Sequence, residues 1–418
     1  LTLTFHSISF AESILKNMSI EKTWRWFGFN DTITLRELKQ IGVEGIVTSL
    51  HHLKPGELWE GKEINKVKEE IEKEGLRWSV VESLPVSEEI KLNSEKSRDH
   101  MENYKTSLIN LSKCGIDTVC YNFMPVLDWV RTDLHYTDVD GSETMLFDLI
   151  TFAAFDIFIL QRPNAERDYF PEVSLKAREK FEKMKETEKE ELSYNIVVYT
   201  QGFINSAVVD NKDYLSLFIR ALHKYNEIDK VTLRQHFSIF IKEVVPVAEK
   251  HGIKLCIHPD DPAFSLLGLP RIVSTIEDLE WIFSQNESVA NGFTLCTGSL
   301  ASRIGNDPVE FVKRFSERIH FVHARNIQFL NDTCFFESGH LKGSIDMYEV
   351  IRLLLKELYR RKRVTGKDPR IPMRVDHGKK ILDDFTRKAN PGYPLIGRLK
   401  GLAEISGLIA GMERGMTD

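Results

Sequence analysis

A repeated unit of short apolar strand, polar strand end and helix is the feature that most constrains the fold of this chain. The unit first appears at residues 24–28 and 45–50, and its eighth copy begins at Ile371. Intervening helices begin at capping signals, such as the box formed by Thr34 and Glu37, and end at glycines. Nearly continuous apolar strands alternating with helices indicate a parallel sheet buried on both faces. Eight such units predict an α/β fold, the (β/α)8 TIM barrel.

The repeated unit is interrupted once, at about residues 131–195. This stretch contains an apolar segment, residues 145–160, and a Lys- and Glu-rich segment, residues 174–191, that reads as one long helix. We therefore expect a helical insertion after strand four within a single barrel domain, residues 18–418. The apolar segment needs a cover from the barrel top or another subunit, so we expect a lid or subunit contact and a homo-oligomer, a dimer or tetramer. Residues 1–17 precede the first unit and are expected to be a leader or an expression remnant.

Composition excludes several classes of function. A net charge of −6 and a pI near 6.2 argue against nucleic-acid binding, which requires clustered basic residues on a basic domain. The five cysteines are scattered without a CxxC pair, which indicates reduced thiols and a cytoplasmic protein. The apolar segment carries Asp148 and Asp156 and falls short of the roughly 20 apolar residues of a membrane helix. We expect a small-molecule partner, with neither nucleic acid nor membrane.

Metal-binding side chains stand at the ends of four consecutive strands, the fifth to the eighth. They are His258, Cys296, His323 and Asp376. Active sites of (β/α)8 barrels lie at the carboxyl ends of the strands, so these side chains are expected to converge. Imidazole, thiolate and carboxylate can hold a divalent transition metal, and ligand softness alone favours Zn²⁺. A single strand cysteine is more often a core residue than a ligand, but four such groups in register predict one shared metal site.

Other polar residues near the strand ends receive different assignments. Cys256 precedes the strand-five histidine by two residues, so it lies on the same side of the strand one layer deeper, in the core. Asp260 and Asp261 follow that histidine and are expected to support the ligands or the loop rather than bind the metal. His51 and His52 end the second strand, and the spacing does not choose which of them faces the pocket.

Acid–base and anion-binding candidates accompany the metal ligands. His377 follows the strand-eight aspartate at a strand end where both side chains can reach the site, and an imidazole suits proton transfer near neutral pH. Arg25, Arg325 and Arg374 could clamp an anionic substrate, because paired guanidinium donors match a carboxylate. The sequence has no phosphate-binding loop or GxGxxG pattern, so nucleotide chemistry has no support.

Longer stretches of the sequence resemble the D-mannonate dehydratase family. The resemblance runs from about Trp24 to the C-terminal helix and includes the insertion, at residues 152–156 and 161–165. Its other segments are residues 26–28, 78–83, 120–125, 255–261, 320–326, 373–378 and 390–401. Segments this long and in this order are highly specific. The family's barrel is similar to that of xylose isomerase, in agreement with the fold expected from the repeated unit.

The resemblance implies a function and a set of site residues. Members dehydrate D-mannonate to 2-keto-3-deoxy-D-gluconate in hexuronate breakdown, with Mn²⁺ or Fe²⁺ as the usual metal. The family's metal-ligand positions match the four strand-end residues named above. Its acid–base positions match His377 and Tyr393, with the roles of base and acid left open. We expect contacts with the sugar-acid substrate from four residues: Arg25, Asn122, Arg325 and His340.

Two other functions compete with the dehydratase. A metal-dependent sugar isomerase or epimerase on the same barrel would move a proton between carbons without losing water, so its product would not be a keto-deoxy acid. A catalytically inactive barrel would bind a sugar acid through an intact metal site without turning it over. Retention of all four ligands together with His377 and Tyr393 argues against the inactive form.

Overall fold

The predicted barrel is confirmed in a computed structural model that describes residues 19–200 and 213–415. In chain order its strands are β1 (Ser19–Arg25), β2 (Gly45–Thr48), β3 (Arg77–Glu82), β4 (Thr118–Tyr121), β5 (Asp133–Thr137), β6 (Glu143–Asp148), β7 (Lys254–Ile257), β8 (Asn291–Cys296), β9 (Ile319–Ala324), β10 (Ile327–Asn331), β11 (Cys334–Glu337) and β12 (Arg370–Val375). Eight of them run parallel and close on themselves in the order β1-β2-β3-β4-β7-β8-β9-β12.

Helices cover the barrel and build much of the insertion. They are α1 (Leu35–Gln40), α2 (Gly61–Lys73), α3 (Glu88–Lys91), α4 (Ser97–Lys113), α5 (Leu149–Ala154), α6 (Pro171–Lys183), α7 (Glu186–Tyr194), α8 (Tyr214–His223), α9 (Lys230–Lys250), α10 (Ile276–Gln285), α11 (Thr297–Ala301), α12 (Pro308–Phe315), α13 (Met347–Thr365) and α14 (Leu395–Gly415). The buried residues of α2 are Ile64, Val67 and Ile71, at helical spacing. Burying each of them contributes about 1.5–3 kcal/mol, which fixes this helix on the core.

The first strand begins earlier than expected. It spans Ser19–Arg25 rather than residues 24–28. Its Glu21 looks unsuited to a buried strand, yet it is buried because its carboxylate accepts hydrogen bonds from Ser79 (2.6 Å) and Arg370 (2.8 Å). Because a glutamate interrupts the apolar run, the sequence pattern did not identify this part of the strand.

The interior of the barrel is filled beneath the strand ends. A buried cluster there consists of Val47, Val80, Cys120, Cys256 and Phe321, contributed by five different strands. Cys256 is fully buried, which confirms its assignment to the core. A layer of side chains from several strands is typical of these barrels. Because the interior is packed, a pocket can open only above this layer, at the strand ends.

The insertion is not purely helical, contrary to the expectation. β5 and β6 pair with β10 and β11 in a four-stranded antiparallel sheet of order β10-β11-β6-β5, here called the second sheet. β10 and β11 follow barrel strand β9, so the second sheet joins two distant parts of the chain. The expected Lys- and Glu-rich helix is two helices, α6 and α7, because Met184 between them takes an extended backbone (ψ 134°). Pairing between distant segments is not visible in local periodicity.

The apolar segment of the insertion is covered from within the chain. Phe147 on β6 stacks on Phe335 of β11 at 5.5 Å and meets Phe264, in the loop after β7, at 5.7 Å. Phe152 and Phe155 are fully buried. The second sheet and a barrel loop therefore supply the cover that the sequence requires, and the subunit contact stays a prediction.

Two further expectations concern the chain as a whole. Among the helices of the described residues, none has both the length and the apolar character needed to cross a membrane. The predicted leader, residues 1–17, lies outside the described part of the chain.

Candidate metal and acid–base site

A cavity of about 320 Å³ opens at the carboxyl ends of the barrel strands. The predicted site residues that line it are Arg25, Asn122, His258, Arg374, Asp376, His377 and Tyr393. His51 and His52 both line it as well, so the second strand contributes two imidazoles rather than one. The strand ends thus converge as the parallel topology requires.

Three of the four predicted ligands form a compact cluster. One donor atom each of His258, Cys296 and His323 lies within 4.8 Å of the others. The closest ring nitrogens, His258 Nε2 and His323 Nδ1, are 3.2 Å apart. Strand register explains the convergence, because Cys296 on β8 stands beside His323 on β9, which stands beside Arg374 on β12.

Each histidine presents an unprotonated ring nitrogen to the other. His258 Nδ1 lies 2.7 Å from the Pro259 carbonyl oxygen, which can only accept, so the proton belongs on Nδ1 and Nε2 is bare. His323 Nε2 lies 3.2 Å from a Glu82 carboxylate oxygen, although this contact is not aligned as a hydrogen bond, and its Nδ1 lies 3.5 Å from the Arg374 guanidinium, which can only donate. A proton on Nε2 and a bare Nδ1 fit both neighbours. Two lone pairs facing each other repel unless a cation or a shared proton lies between them. The donor set therefore fits a divalent metal.

Cys296 adds sulfur to the two imidazoles. Its Sγ lies 2.9 Å from Ser299 Oγ, 3.9 Å from the Arg325 guanidinium and 3.8 Å from an Asp376 oxygen. Burial raises the pKa of the Cys296 thiol well above its usual value, and the charges of Asp376 and Asp261 raise it further. A metal ligand must be the thiolate. The sulfur can therefore ionise here only where a cation offsets that cost.

Asp376, the fourth predicted ligand, lies beside this cluster. Its Oδ2 is 3.8 Å from both Cys296 Sγ and His323 Nδ1. Burial alone would raise the pKa of Asp376, but the Arg374 guanidinium, followed by the neighbouring imidazoles, holds it well below its usual range. Arg374 donates to Asp376 and, at 3.0 Å, to Glu82. An ionised carboxylate thus stands next to the three donor atoms, which favours a bound cation.

The two acid–base candidates lie side by side. The Tyr393 ring meets the His377 ring edge-on at 5.2 Å. Tyr393 Oη is 3.5 Å from Asp376 Oδ1, and His377 Nε2 is 3.9 Å from the same oxygen. Burial, and then the charge of Asp376, raises the pKa of Tyr393 above its usual value. Two proton-transfer groups near one carboxylate can serve neighbouring atoms of a bound substrate.

Comparison with known proteins decides the family. The model of the D-mannonate dehydratase family matches residues 20–418. The chain belongs to the D-mannonate dehydratase family. It is 46% identical over 396 residues to the mannonate dehydratase of Marinomonas sp. (strain MWYL1), covering 94% of this chain and 99% of that protein. It is 48% identical over 389 residues to mannonate dehydratase 1 of Agrobacterium fabrum (strain C58), covering 92% and 95%. The crystal structure of mannonate dehydratase from Streptococcus suis serotype 2 has a TM-score of 0.73 and 32% identity, covering 95% and 96%.

In this D-mannonate dehydratase family member, the four expected substrate contacts are not all brought to the cavity. Arg25 and Asn122 line it. Arg325 instead is fully buried, and its guanidinium donates to Asp261 at 2.5 Å and to Glu337 at 2.6 Å. These ion pairs occupy the donors that the anion clamp would use. Arg325 is therefore placed to support Cys296 and the surrounding carboxylates rather than to meet substrate.

His340 also lies away from the cavity. It is buried against helix α14, where a Cβ added to Gly401 would come within 2.1 Å of the imidazole Nδ1. Asp260 accepts hydrogen bonds from the Val273 amide at 2.8 Å and the Ser274 hydroxyl at 2.7 Å, so it holds the loop after β7, in line with its expected supporting role. His340 and Asp260 therefore make structural contacts within the fold. This is the expected role for Asp260, whereas His340 was expected to contact substrate.

Sequence reasoning missed two carboxylates of the dehydratase site, Glu82 and Glu337. Glu82 ends β3 and contacts His323 and Arg374 at 3.2 and 3.0 Å. Its charge at the end of a buried strand was a signal that could have identified it. Glu337 is buried at the end of β11, outside the barrel, and no repeated pattern marks its position.

We expect Ser299→Ala to weaken metal binding without unfolding the chain. The change removes the hydroxyl that lies 2.9 Å from Cys296 Sγ and 3.1 Å from Asp261 Oδ2, and with it a group that can donate to the thiolate when metal is bound. Losing an outer partner of a metal ligand typically costs about 10- to 100-fold in metal affinity. The measurement is metal retained across a graded series of chelator concentrations.

Ser302→Ala is the matched control for Ser299→Ala. Ser302 is buried nearby, and its hydroxyl donates to the Ser299 carbonyl at 2.6 Å and accepts from the Ala263 amide at 2.8 Å. These contacts involve backbone groups rather than the thiol. Equal metal retention in the two variants would contradict a role for Ser299 at the sulfur.

Proposed function

We propose that this chain dehydrates D-mannonate to 2-keto-3-deoxy-D-gluconate and water, with a bound divalent metal, in hexuronate breakdown. The observation that carries the proposal is that the His–Cys–His donor cluster reaches, through His258, the cavity that Asp376, His377 and Tyr393 also line. The family model and the curated relatives, which carry the name mannonate dehydratase, support the same substrate.

Dehydration of a sugar acid needs two proton transfers. The C2 proton beside the carboxylate is weakly acidic, and its removal builds up negative charge on the substrate. The C3 hydroxyl is a poor leaving group and departs only as it receives a proton. We assign these two transfers to His377 and Tyr393, which both line the cavity. We assign the binding of the substrate carboxylate, through charge-assisted hydrogen bonds, to Arg25, which also lines the cavity and donates to the Glu82 carbonyl oxygen through Nη1.

The proposed metal is Mn²⁺ or Fe²⁺. The residues that would hold it are His258, Cys296, His323 and Asp376. Two imidazoles with one carboxylate are a donor set typical of Fe²⁺, whereas a thiolate with imidazoles also suits Zn²⁺. When bound, the cation supplies positive charge that stabilises the negative charge developing on the substrate. Metal analysis of the purified protein, followed by reconstitution of chelator-treated protein with each ion, separates these choices.

The decisive assay offers the purified protein D-mannonate and D-gluconate in parallel. We expect a 2-keto-3-deoxy acid from D-mannonate, identified by the loss of one water in the product mass, and little turnover of D-gluconate. The C2 epimer presents its proton on the opposite face, away from a base positioned for D-mannonate. Interconversion of D-mannonate and D-gluconate without a keto-deoxy product would support the epimerase instead. A metal-loaded protein inert on both acids would support the inactive binding barrel.

The proposal includes a cytoplasmic location and a homo-oligomer, a dimer or tetramer. All five cysteines are free, which is typical of a reducing compartment. Phe170 and Leu175 on the insertion are 81% and 60% exposed, so they are apolar side chains that a second copy could cover. Light scattering tests the assembly, and a monomer at working concentration would refute it.

A further inference from the structure

We infer that Glu337, a residue outside the barrel, is a positioning residue that holds His377 as the tautomer protonated on Nδ1. The other ring nitrogen, Nε2, is then free to exchange a proton with the substrate. The catalytic use of Nε2 rests on the proposed function. The tautomer itself rests only on the contacts of His377 with Glu337 and with its aromatic neighbours.

The contact joins the second sheet to the end of the barrel. Glu337 ends β11 and His377 follows β12, and both side chains are buried. His377 Nδ1 lies 3.3 Å from Glu337 Oε1, whereas Nε2 lies 3.9 Å from Asp376 Oδ1. The contact between His377 Nδ1 and Glu337 Oε1 is not aligned as a hydrogen bond in this structure, which contains no substrate. Catalytic hydrogen bonds are often long or poorly aligned before substrate binds and tighten in the complex.

Two guanidinium groups donate to the Glu337 side chain, which lies beside His377 as an acceptor. Arg131 donates to it through Nε at 3.0 Å and Nη2 at 2.8 Å, and Arg325 through Nε at 2.7 Å and Nη2 at 2.6 Å. Both guanidinium groups also donate to Asp261, at 3.0 and 2.5 Å. Two cations thus face two carboxylates in a buried, charge-balanced group. A fixed acceptor beside Nδ1 favours the tautomer that carries its proton there.

Aromatic neighbours confine the His377 ring. Trp129 lies at a ring distance of 5.3 Å and Tyr393 at 5.2 Å, the latter edge-on. The Arg131 guanidinium lies 5.9 Å from the Trp129 ring, so one side chain supports both Trp129 and Glu337. With the ring confined, the choice that remains is which nitrogen carries the proton, and Glu337 decides it. A carboxylate on one nitrogen of an imidazole base orients the other for proton transfer in the same way in catalytic triads.

The direct test measures the tautomer of His377 in the full-length chain loaded with Zn²⁺, which is diamagnetic. Two-bond ¹H–¹⁵N correlation spectra of protein labelled in histidine separate the two tautomers, and His377 is assigned as the signal absent from His377→Asn. We expect a proton on Nδ1 in the wild type and loss of that preference in Glu337→Gln. A wild-type His377 protonated on Nε2 alone would overturn the inference, whatever the activity of the protein.

The kinetic test separates positioning from folding. In Glu337→Gln we expect kcat on D-mannonate to fall by about 100-fold with KM changed by less than about threefold, and metal content unchanged. Thr144→Val is the matched control, because Thr144 donates to the Glu337 backbone carbonyl at 2.9 Å and so anchors the same strand from its side chain. An unchanged kcat in Glu337→Gln, or an equal loss in Thr144→Val, would overturn the inference.

The two proposals can fail separately. If wild-type protein produced no keto-deoxy acid from D-mannonate, the proposed function would fall while the tautomer measurement still decided the role of Glu337. If Glu337→Gln were too unstable to assay, the wild-type spectrum alone would decide it.

Discussion

Replacing Cys296 with serine is expected to remove the bound metal and, with it, turnover of D-mannonate. The thiol belongs to the cluster whose donor atoms lie within 4.8 Å of one another. A serine hydroxyl does not ionise at neutral pH, so two imidazoles would remain as strong donors beside Asp376. We expect metal affinity to fall by at least about 100-fold and kcat to fall with it. The measurements are metal content by mass spectrometry and product formation in the presence of excess metal.

Cys114→Ser is the control for this substitution, since it makes the same chemical change at the C-terminal end of α4. Cys114 is half-buried there, away from the cluster. Metal content should match the wild type. If Cys296→Ser retained its metal as well, Cys296 would have to be withdrawn from the ligand set.

Substitution of His377 by asparagine is expected to lower kcat strongly while leaving the metal in place. The asparagine amide can still donate towards Glu337 where Nδ1 did, but it has no group equivalent to the basic Nε2. Losing a general acid or base typically costs about 10²- to 10⁴-fold in rate. Steady-state kinetics and metal content, measured on the same preparation, distinguish this outcome from the loss of metal expected for Cys296→Ser.

Two comparisons sharpen the result for His377. His251→Asn changes a histidine at the end of α9 and should leave kcat unchanged; a matching loss there would point to a general effect of the substitution. Exchange of the substrate C2 proton with deuterated water separates the two catalytic roles. His377→Asn and Tyr393→Phe are compared. The variant that lacks the base loses exchange of the C2 proton, whereas the variant that lacks the acid still exchanges this proton but does not eliminate water.

The insertion takes part in building the surroundings of the candidate site. It supplies β6, which pairs with β11 of the second sheet, and it carries Arg131, which binds Glu337 and Asp261. Through these contacts the second sheet reaches His377. The sequence predicted an insertion and a need to cover its apolar segment. It did not predict that the covering element would contribute a carboxylate to the site.

Local sequence patterns determined the barrel and most of the candidate metal site. Strand length, helix capping and the alternation of apolar runs are short-range properties, and they are repeated eight times. Parallel strands have their carboxyl ends on one side, so polar residues at those ends had to meet. This is why the sequence alone groups His258, Cys296, His323 and Asp376.

Only the tertiary structure decided the second sheet, the place of Glu337 and the role of Arg325. Thr144 and Glu337 are 193 residues apart in sequence yet share a hydrogen bond, and no local period encodes such a pairing. An arginine at a strand end suits either an anion clamp or a buried ion pair. Arg325 forms the buried ion pair because Asp261 and Glu337, from other segments, surround its guanidinium. The identity of a side chain sets what it can bind, and the partners that folding brings to it determine what it does bind.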